Sequence, residues 1–364
     1  MRGVRIMKDK LFHLIDIIFY HFYRFIMGII YKYKTMVICR DIVKISPNYK
    51  KAIRAYWKRY YRNISLSDFK WYQTKKNIKN IRLIPDTVYH SRIEPYFNDI
   101  KSVEAFSNKG YYSLFFRDFK VPYTIAKNMT GVYMDDDFNI ISQNEVKKLC
   151  LNEEEILIKP SLDSGGGRNI TFLQMNEEGA CCKLETALDK YKKDFVIQRV
   201  VKQHEEINKL NSTSLNTVRI QSFLYKGNVE ILSSFLRVGH KGSRIDNLSS
   251  GGLAIAINEN GELNSFACDG DGNISYRLPN GYQFKKKKIP GFEEIVKSVK
   301  KLHPRFVNFG IIGWDIAVDE EGEPVFIEFN PIDTCIRNTQ IVKGPLFGNL
   351  TDEVLKEVYG NKKR

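Results

Sequence analysis

Long apolar runs and short alternating runs divide this chain into helical and extended regions. Residues 11–31 are mostly apolar and rich in aromatic side chains, which predicts one long helix. Residues 41–83 are basic and aromatic. Further along, runs with period-two character predict strands and runs with helical spacing predict helices. The predicted strands are 121–126, 156–159, 170–174, 195–201 and a β-rich stretch from 216 to 257, and the predicted helices are 144–151, 185–191, 290–302 and 351–360.

The pattern near the C-terminus predicts a β-hairpin that carries acidic residues. Two strands, at 313–318 and 325–330, are joined by a turn. Glu328 and Asn330 are two residues apart, so both side chains face the same side of their strand. Asp315 lies on the preceding strand, and the hairpin can bring the three oxygens together. Such hard oxygen ligands suit Mg²⁺, which favours carboxylates combined with substrate phosphates.

A phosphate-binding feature lies upstream of this hairpin. The apolar run at 156–160 places Lys159 at its end, and glycines occupy 165–167 in the loop that follows. Glycines let backbone N–H groups approach phosphates closely, because no Cβ atom intervenes. Alone, a triple glycine is usually a flexible turn. A lysine on a strand usually lies at a sheet edge, where its charge opposes pairing with another chain. The combination with the acidic hairpin indicates a nucleotide site.

The order of these motifs resembles the ATP-grasp superfamily. Three middle segments, at 215–220, 235–239 and 246–252, resemble the sugar-transfer-associated ATP-grasp proteins found with bacterial surface-polysaccharide genes. The resemblance covers roughly residues 85–345. It implies an α+β fold of the ATP-grasp type, in which two α+β subdomains clamp ATP, preceded by a basic helical N-terminal segment.

The resemblance also implies roles for individual residues. Asp315, Glu328 and Asn330 would hold Mg²⁺ on the ATP phosphates. The residues expected to bind ATP are Lys109, Lys159, Gly165, Gly166, Gly167, Gln198, Val200 and Val201. The developing charge needs a fixed cation, and the catalytic candidates are Arg219, Asn216 and Arg237. His204 would serve the ribose or the acceptor, or else cap a helix, and residues 244–252 would contact the acceptor.

These roles predict an ATP-dependent, carboxylate–amine ligase-like enzyme. ATP would phosphorylate a carboxylate, and an amine or hydroxyl would displace the phosphate. The substrate would be a saccharide or a sugar-linked precursor of a bacterial surface polysaccharide, such as capsule or O-antigen. Two alternatives stay open. One is a phosphotransferase that releases its phosphorylated product, and the other is a nucleotide-binding scaffold at the membrane without catalysis.

Composition and charge refine this picture. The 43% hydrophobic and 13% aromatic content predicts a globular protein. None of the six cysteines forms a C-x-x-C pair and no cleavable signal pattern is apparent, which predicts a reducing, cytoplasmic location. Residues 1–100 contain 21 lysines and arginines against 7 acids, whereas the remainder contains 36 against 35. Of the net charge of +15, +14 therefore belongs to residues 1–100, which favours an anionic partner for the N-terminal segment.

Three interpretations of the apolar run at 11–31 stay open. Basic flanks on both sides favour a helix lying on the inner face of an anionic cytoplasmic membrane. The helix can instead pack on its own protein or on a second copy in a homodimer. A membrane span is disfavoured because Asp16 and Arg24 interrupt the run. Basic residues interleave with aromatics at 56–72, but no nucleic-acid motif accompanies them, so nucleic acid is not an expected partner.

The chain is long enough for two or three compact regions. The expected regions are a basic aromatic segment at 1–83, the N-terminal part of the ATP-grasp body at 84–150, a lid subdomain with the glycine loop at 151–205, and a C-terminal subdomain with the metal and acceptor site at 206–364.

Overall fold

The computed structural model describes residues 2–39, 43–162, 167, 169–278 and 280–360, with side chains from residue 11 onward. The helices are α1 Arg2–Ile38, α2 Pro47–Trp57, α3 Ser67–Lys76, α4 Asp86–Val88, α5 Glu94–Phe97, α6 Val103–Ser107, α7 Tyr112–Phe115, α8 Gln143–Leu151, α9 Ala180–Tyr191, α10 Glu205–Asn208, α11 Phe292–Leu302, α12 Arg337–Lys343 and α13 Thr351–Gly360. The strands are β1 Thr124–Met129, β2 Val132–Met134, β3 Glu155–Pro160, β4 Thr171–Gln174, β5 Phe195–Arg199, β6 Val218–Tyr225, β7 Asn228–Val238, β8 Leu253–Ile257, β9 Leu263–Cys268, β10 Ile274–Ser275, β11 Ile311–Val318 and β12 Pro324–Asn330.

The chain divides into two compact units. The first contains residues 1–100 and 335–364, and the second contains residues 101–334. The structure thus groups the C-terminal helices with the N-terminal segment, whereas the sequence pattern assigns 206–364 to one subdomain. The expected boundaries at 83, 150 and 205 stay predictions.

A smaller antiparallel sheet in the second unit positions the lysine and hinge residues. Among the described residues its strand order is β2-β1-β5-β3-β4. On β3, Ile156 and Ile158 are buried in a core with helices α8 and α9. Because side chains alternate along a strand, Lys159 projects from the opposite face. Helix α8 begins at a capping box, in which Ser142 and Glu145 bond to each other's backbone N–H groups.

A larger antiparallel sheet carries the acidic hairpin. Its order in the described residues is β10-β9-β8-β7-β6-β11-β12. One face packs on α11 and on an aromatic cluster around Trp314, which is fully buried. The register pairs Arg219 of β6 with Asp315 of β11, and Asp315 with Glu328 of β12. Three charged residues therefore occupy one row across three adjacent strands.

Most predicted elements are confirmed by the structure. The strands at 156–159, 170–174 and the hairpin appear as β3, β4, β11 and β12, and the four predicted helices appear as α8, α9, α11 and α13. The prediction for 195–201 is too long, because β5 ends at Arg199. The apolar run at 11–31 lies inside the longer helix α1.

Buried polar side chains tie the C-terminal helix α12 into the first unit. Arg337 lies 2.8 Å from Asp86 and 3.5 Å from Asp68, and it donates to Thr35 of α1 at 2.9 Å. Gln340 accepts a hydrogen bond from the backbone N–H of Ile84 at 2.7 Å. A buried guanidinium needs such partners, because an unpaired buried charge is costly. This network explains why residues far apart in sequence belong to one unit.

Asp68 should make the first unit less stable as the pH rises. Burial, together with the nearby Asp86 carboxyl, raises the pKa of Asp68 to about 7. A raised folded-state pKa gives stability that is complete below the unfolded value and is lost as pH rises through about 7. The substitution Asp68→Asn should therefore remove this pH dependence, so that its effect on the free energy of unfolding is more favourable at pH 8 than at pH 5 by at least about 1 kcal/mol.

Urea unfolding at the two pH values measures this difference. The exposed Asp271→Asn is the matched control and should change stability by less than about 0.5 kcal/mol at either pH. An Asp68→Asn protein with the same pH dependence as the wild type would contradict the prediction.

Candidate active site

The three expected metal ligands lie together on the hairpin of β11 and β12. Asp315 pairs directly with Glu328, and Gly313 pairs with Asn330. Directly paired residues project from the same sheet face. The Asn330 amide nitrogen donates to an oxygen of the Asp315 carboxylate at 3.4 Å. Within the described residues, no group of three or more His, Cys, Asp or Glu side chains could hold a metal. Two carboxylates and an amide oxygen fit Mg²⁺ that takes its remaining ligands from phosphate and water.

Two arginines converge on Asp315. Arg219 forms a bidentate ion pair with its carboxylate, and Arg237 lies 3.1 Å from the same group. Burial by itself would raise the pKa of Asp315, but the two guanidinium groups outweigh it and hold the pKa below its ordinary value. The carboxylate is therefore ionised, and both of its oxygens are engaged by guanidinium groups. The structure brings both predicted catalytic arginines to the predicted metal ligand.

Asp246 and Thr217 fix the orientation of Arg237. Asp246 lies 3.1 Å from the guanidinium and accepts a hydrogen bond from the backbone N–H of Thr217 at 2.9 Å. The Thr217 hydroxyl accepts from Arg237 as well, at 3.1 Å. Asp246, expected to contact the acceptor, thus positions an arginine in this structure. Sequence reasoning missed Thr217, because a threonine at the start of a strand carries no signal of its own.

Asn216 is buried and its side chain is fully engaged with neighbouring loops. Its amide donates to the Asn211 carbonyl at 2.7 Å and to Gln203 at 3.1 Å, and its oxygen accepts from Ser214 at 2.7 Å. These bonds indicate a residue that shapes the loop before β6. Its catalytic role stays a prediction.

Lys109 reaches Glu328, one of the predicted metal ligands, from a short 3₁₀ turn. Asn108 caps this turn by accepting from the backbone N–H of Gly110 at 2.9 Å. The Lys109 backbone N–H donates to the Ser161 carbonyl at 2.9 Å, and its ammonium lies 3.0 Å from Glu328. Lys109 is 7% exposed, so this ion pair is largely shielded from water. The turn therefore links the smaller sheet to the acidic hairpin.

Lys159 is a buried cation for which the described residues supply no hydrogen-bond or ion-pair partner. It is 6% exposed, and burial together with the nearby Lys109 charge lowers its pKa to about 7. A buried ammonium without an anion is unfavourable. An anionic phosphate beside Lys159 would satisfy it, so this residue fits the nucleotide role.

Gln198 offers a second unsatisfied group at the predicted hinge. It is 2% exposed on β5, its amide donates to the Thr124 hydroxyl at 3.3 Å, and its side-chain oxygen has no partner among the described residues. A buried acceptor of this kind fits the amino group of adenine. Val200 and Val201 follow the end of β5 and are half-buried, so their predicted contacts would come from backbone groups.

The glycine loop is described only at Gly167. Gly165 and Gly166, like Arg168, lie outside the described residues. Gly167 has a φ of +71°, and a Cβ atom there would lie 2.6 Å from the Ile245 side chain. Glycine is therefore required at this position by backbone conformation and by close packing. Phosphate contact by the loop stays a prediction.

Two further residues clarify the hinge region. His204 accepts a hydrogen bond from the backbone N–H of Glu206 at 3.1 Å and caps α10, which confirms the helix-capping alternative. Lys127 was missed by sequence reasoning. Lys127 of β1 and Lys159 of β3 lie on either side of the central strand β5, and each is paired with Val196. Both lysines therefore project from one face of the sheet. The predicted strand 121–126 ends before Lys127, and the burial of this lysine within β1 is seen only in the structure.

Comparisons with solved structures give distant similarities. The biotin carboxylase domain of the Hydrogenobacter thermophilus 2-oxoglutarate carboxylase, in complex with MgADP, is 16% identical with a TM-score of 0.43, covering 72% of this chain and 48% of its own. A Bacillus anthracis D-alanine–D-alanine ligase complexed with ATP is 11% identical with a TM-score of 0.39, covering 71% and 67%. This chain spans about half the length of the biotin carboxylases that it matches.

The chain also matches a family model. No curated protein sequence matches it. The model described as sugar-transfer associated ATP-grasp matches residues 89–356, which is most of the chain and includes every predicted site residue. The fold is the expected mixed α and antiparallel β type. The chain therefore belongs to the sugar-transfer associated ATP-grasp family.

Proposed function

We propose that this protein is an ATP-dependent ligase that activates a carboxylate as an acyl phosphate for attack by an amine or a hydroxyl. The observation that carries the proposal is the row Arg219, Asp315 and Glu328, with Lys109 paired to its end. Cations and carboxylates meet there in a buried setting, where electrostatic interactions are strong. ATP and Mg²⁺ are the usual cofactors of ATP-grasp enzymes.

The chain's own residues supply most of what phosphoryl transfer requires. Asp315, Glu328 and Asn330 would hold Mg²⁺, which when bound neutralises phosphate charge. Lys159 supplies a rigid cation on β3 for the phosphates. Arg219 is fixed by a bidentate ion pair, so it can stabilise negative charge on the reacting acyl group without reorganisation.

We further propose that the substrate is a saccharide or a sugar-linked precursor of a bacterial surface polysaccharide. The name of the family supports a sugar-transfer context. We place the protein in the cytoplasm, at the inner face of the membrane. All six cysteines are free thiols, as expected in a reducing compartment.

The reaction is tested by an ADP-release screen with Mg²⁺, in which nucleotide-sugar uronic acids and amino acids are paired with candidate amines. A ligase releases ADP and forms product only when both co-substrates are present. A phosphotransferase releases ADP with one acceptor alone and yields a phosphorylated product. ATP binding without release from any pair, including lipid-linked acceptors, would favour the scaffold.

Removing a metal ligand should abolish turnover. We expect Glu328→Ala to lower the rate of ADP release on the order of a hundredfold or more, because the loss of a carboxylate weakens Mg²⁺ on the phosphates. Glu320→Ala, at the exposed turn of the same hairpin, is the control and should stay within about twofold of the wild type. Full ATP-dependent turnover in Glu328→Ala would show that the site assignment is wrong.

Nucleotide binding should take up a proton at alkaline pH. With a pKa of about 7, Lys159 is mostly neutral at pH 8 in the free protein, and a neighbouring phosphate favours its charged form. Binding of ATP at pH 8 should therefore take up close to one proton, and at pH 6 much less. Calorimetric titrations in two buffers with different ionisation enthalpies measure this uptake.

Lys159→Met should lose the uptake, whereas the exposed control Lys300→Met should retain it. Equal proton uptake by Lys159→Met and the wild type at pH 8 would assign the proton to another group and contradict the prediction.

A further inference from the structure

Helix α1 has one face that packs on the first unit. Arg24 donates to the Ser91 carbonyl at 3.1 Å, and the Tyr31 ring stacks on His90 at 3.6 Å. The docked face is formed by side chains at three- and four-residue spacing, Tyr20, Arg24, Gly28, Tyr31 and Thr35. This spacing is the repeat of one helix face.

The opposite face of α1 is apolar and exposed. We call it the anchor ridge, and each of its members is 50–64% exposed. It consists of Leu11, Ile15, Ile18, Phe22, Phe25, Ile29, Tyr33 and Met36. No member is charged. Asp16 lies four residues before Tyr20 and eight before Arg24, which places it on the docked side.

The first half of α1 is exposed around its whole circumference. Every residue from 11 to 19 is exposed, and all but His13 and Asp16 are leucine, isoleucine or phenylalanine. A helix that is apolar all round is normally covered by protein or lipid. Among the described residues, the Leu11–Ile38 part of α1 is the one helical stretch that is long and apolar enough to cross a membrane, by length and composition only. Only 6% of its apolar 18-residue stretch is buried.

We propose that α1 lies in the plane of an anionic membrane leaflet, with the anchor ridge inserted at the boundary between headgroups and acyl chains. The charge of the segment fits this partner. Residues 1–100 hold 21 basic residues against 7 acids, and four of the basic ones lie at residues 2–10, directly before the ridge. Such basic flanks draw an amphipathic helix to anionic lipid. The proposal does not depend on the reaction proposed above.

The docked face argues against a membrane span. A span through residues 11–38 would surround the helix with lipid and would separate Arg24 and Tyr31 from their partners Ser91 and His90. It would also leave the Arg24 guanidinium in hydrocarbon, which is costly. An in-plane helix keeps the docked face on protein and gives only the ridge to lipid.

The sequence of the ridge argues against a second copy of the chain as its partner. The ridge residues alternate at spacings of four and three, as the apolar positions of a coiled coil do. Lys32, however, occupies one of these positions, where an apolar residue would be expected. The flanking positions of a coiled coil normally carry paired charges. Here the flank on one side is apolar: it holds Phe12, Phe19 and Ile26, and the next position in this row is Tyr33 of the ridge itself. A wide, aromatic face of this kind suits a membrane interface better than a narrow helix–helix seam.

Flotation of the full-length protein with preformed vesicles tests the proposal. The wild type should bind vesicles of equimolar phosphatidylcholine and phosphatidylglycerol. Its binding to vesicles of phosphatidylcholine alone should be about tenfold weaker. The ridge variant Phe22→Glu/Phe25→Glu should lower binding by about tenfold or more. The control Ile140→Glu/Tyr276→Glu adds the same charge at residues 76% and 68% exposed in the second unit, and should stay within about twofold.

Other outcomes would overturn the proposal. Absence of wild-type binding to the mixed vesicles, or equal loss in the ridge and control variants, would exclude the ridge as the anchor. A wild-type dimer that becomes monomeric in the ridge variant, without vesicle binding, would assign the ridge to a subunit interface. Resistance of the vesicle-bound protein to alkaline carbonate extraction would indicate a span. The ridge variant should keep ATP binding, which separates this test from that of the enzyme site.

Discussion

The register of three neighbouring strands is the constraint on which the candidate site depends. Arg219, Asp315 and Glu328 occupy one row across β6, β11 and β12, so their side chains share one face. A slip of one residue would turn all of them toward the core. The buried aromatic cluster around Trp314 opposes such a slip, because Trp314 occupies the alternate position on β11 and fills the other face. Hydrophobic packing on one side thus fixes the charged chemistry on the other.

Opposite charges are balanced within this row and its immediate neighbours. Arg219 and Arg237 neutralise Asp315, and Lys109 neutralises Glu328. Each of these two carboxylates has a cation, so the cost of removing Asp315 from water is partly offset. Lys159 differs, because no carboxylate of the described residues lies within ion-pair distance of it, and burial lowers its pKa to about 7.

The first unit is organised by a different interaction. Arg337 gathers Asp68, Asp86 and the Thr35 hydroxyl, and so joins helices from both ends of the chain. The same network holds one face of α1 against the unit and leaves the anchor ridge exposed. With one face docked and the anchor ridge exposed, helix α1 is compatible with the attachment to anionic lipid proposed above. The N-terminal 100 residues, which include this helix, also carry most of the net positive charge.

The sequence by itself determined most of the elements and the family, and it predicted a metal set. Alternation and helical spacing predicted β3, β4 and α11, and the two-residue spacing of Glu328 and Asn330 placed both on one face, because these are local properties of a chain. Tertiary structure decided the partners. In the folded chain Arg237 contacts Asp315, and Asn216 is hydrogen-bonded within a network of loops. Arg337 contacts the N-terminal helices. Those contacts depend on strand order, register and burial, which arise from packing between distant segments and leave no local trace in the sequence.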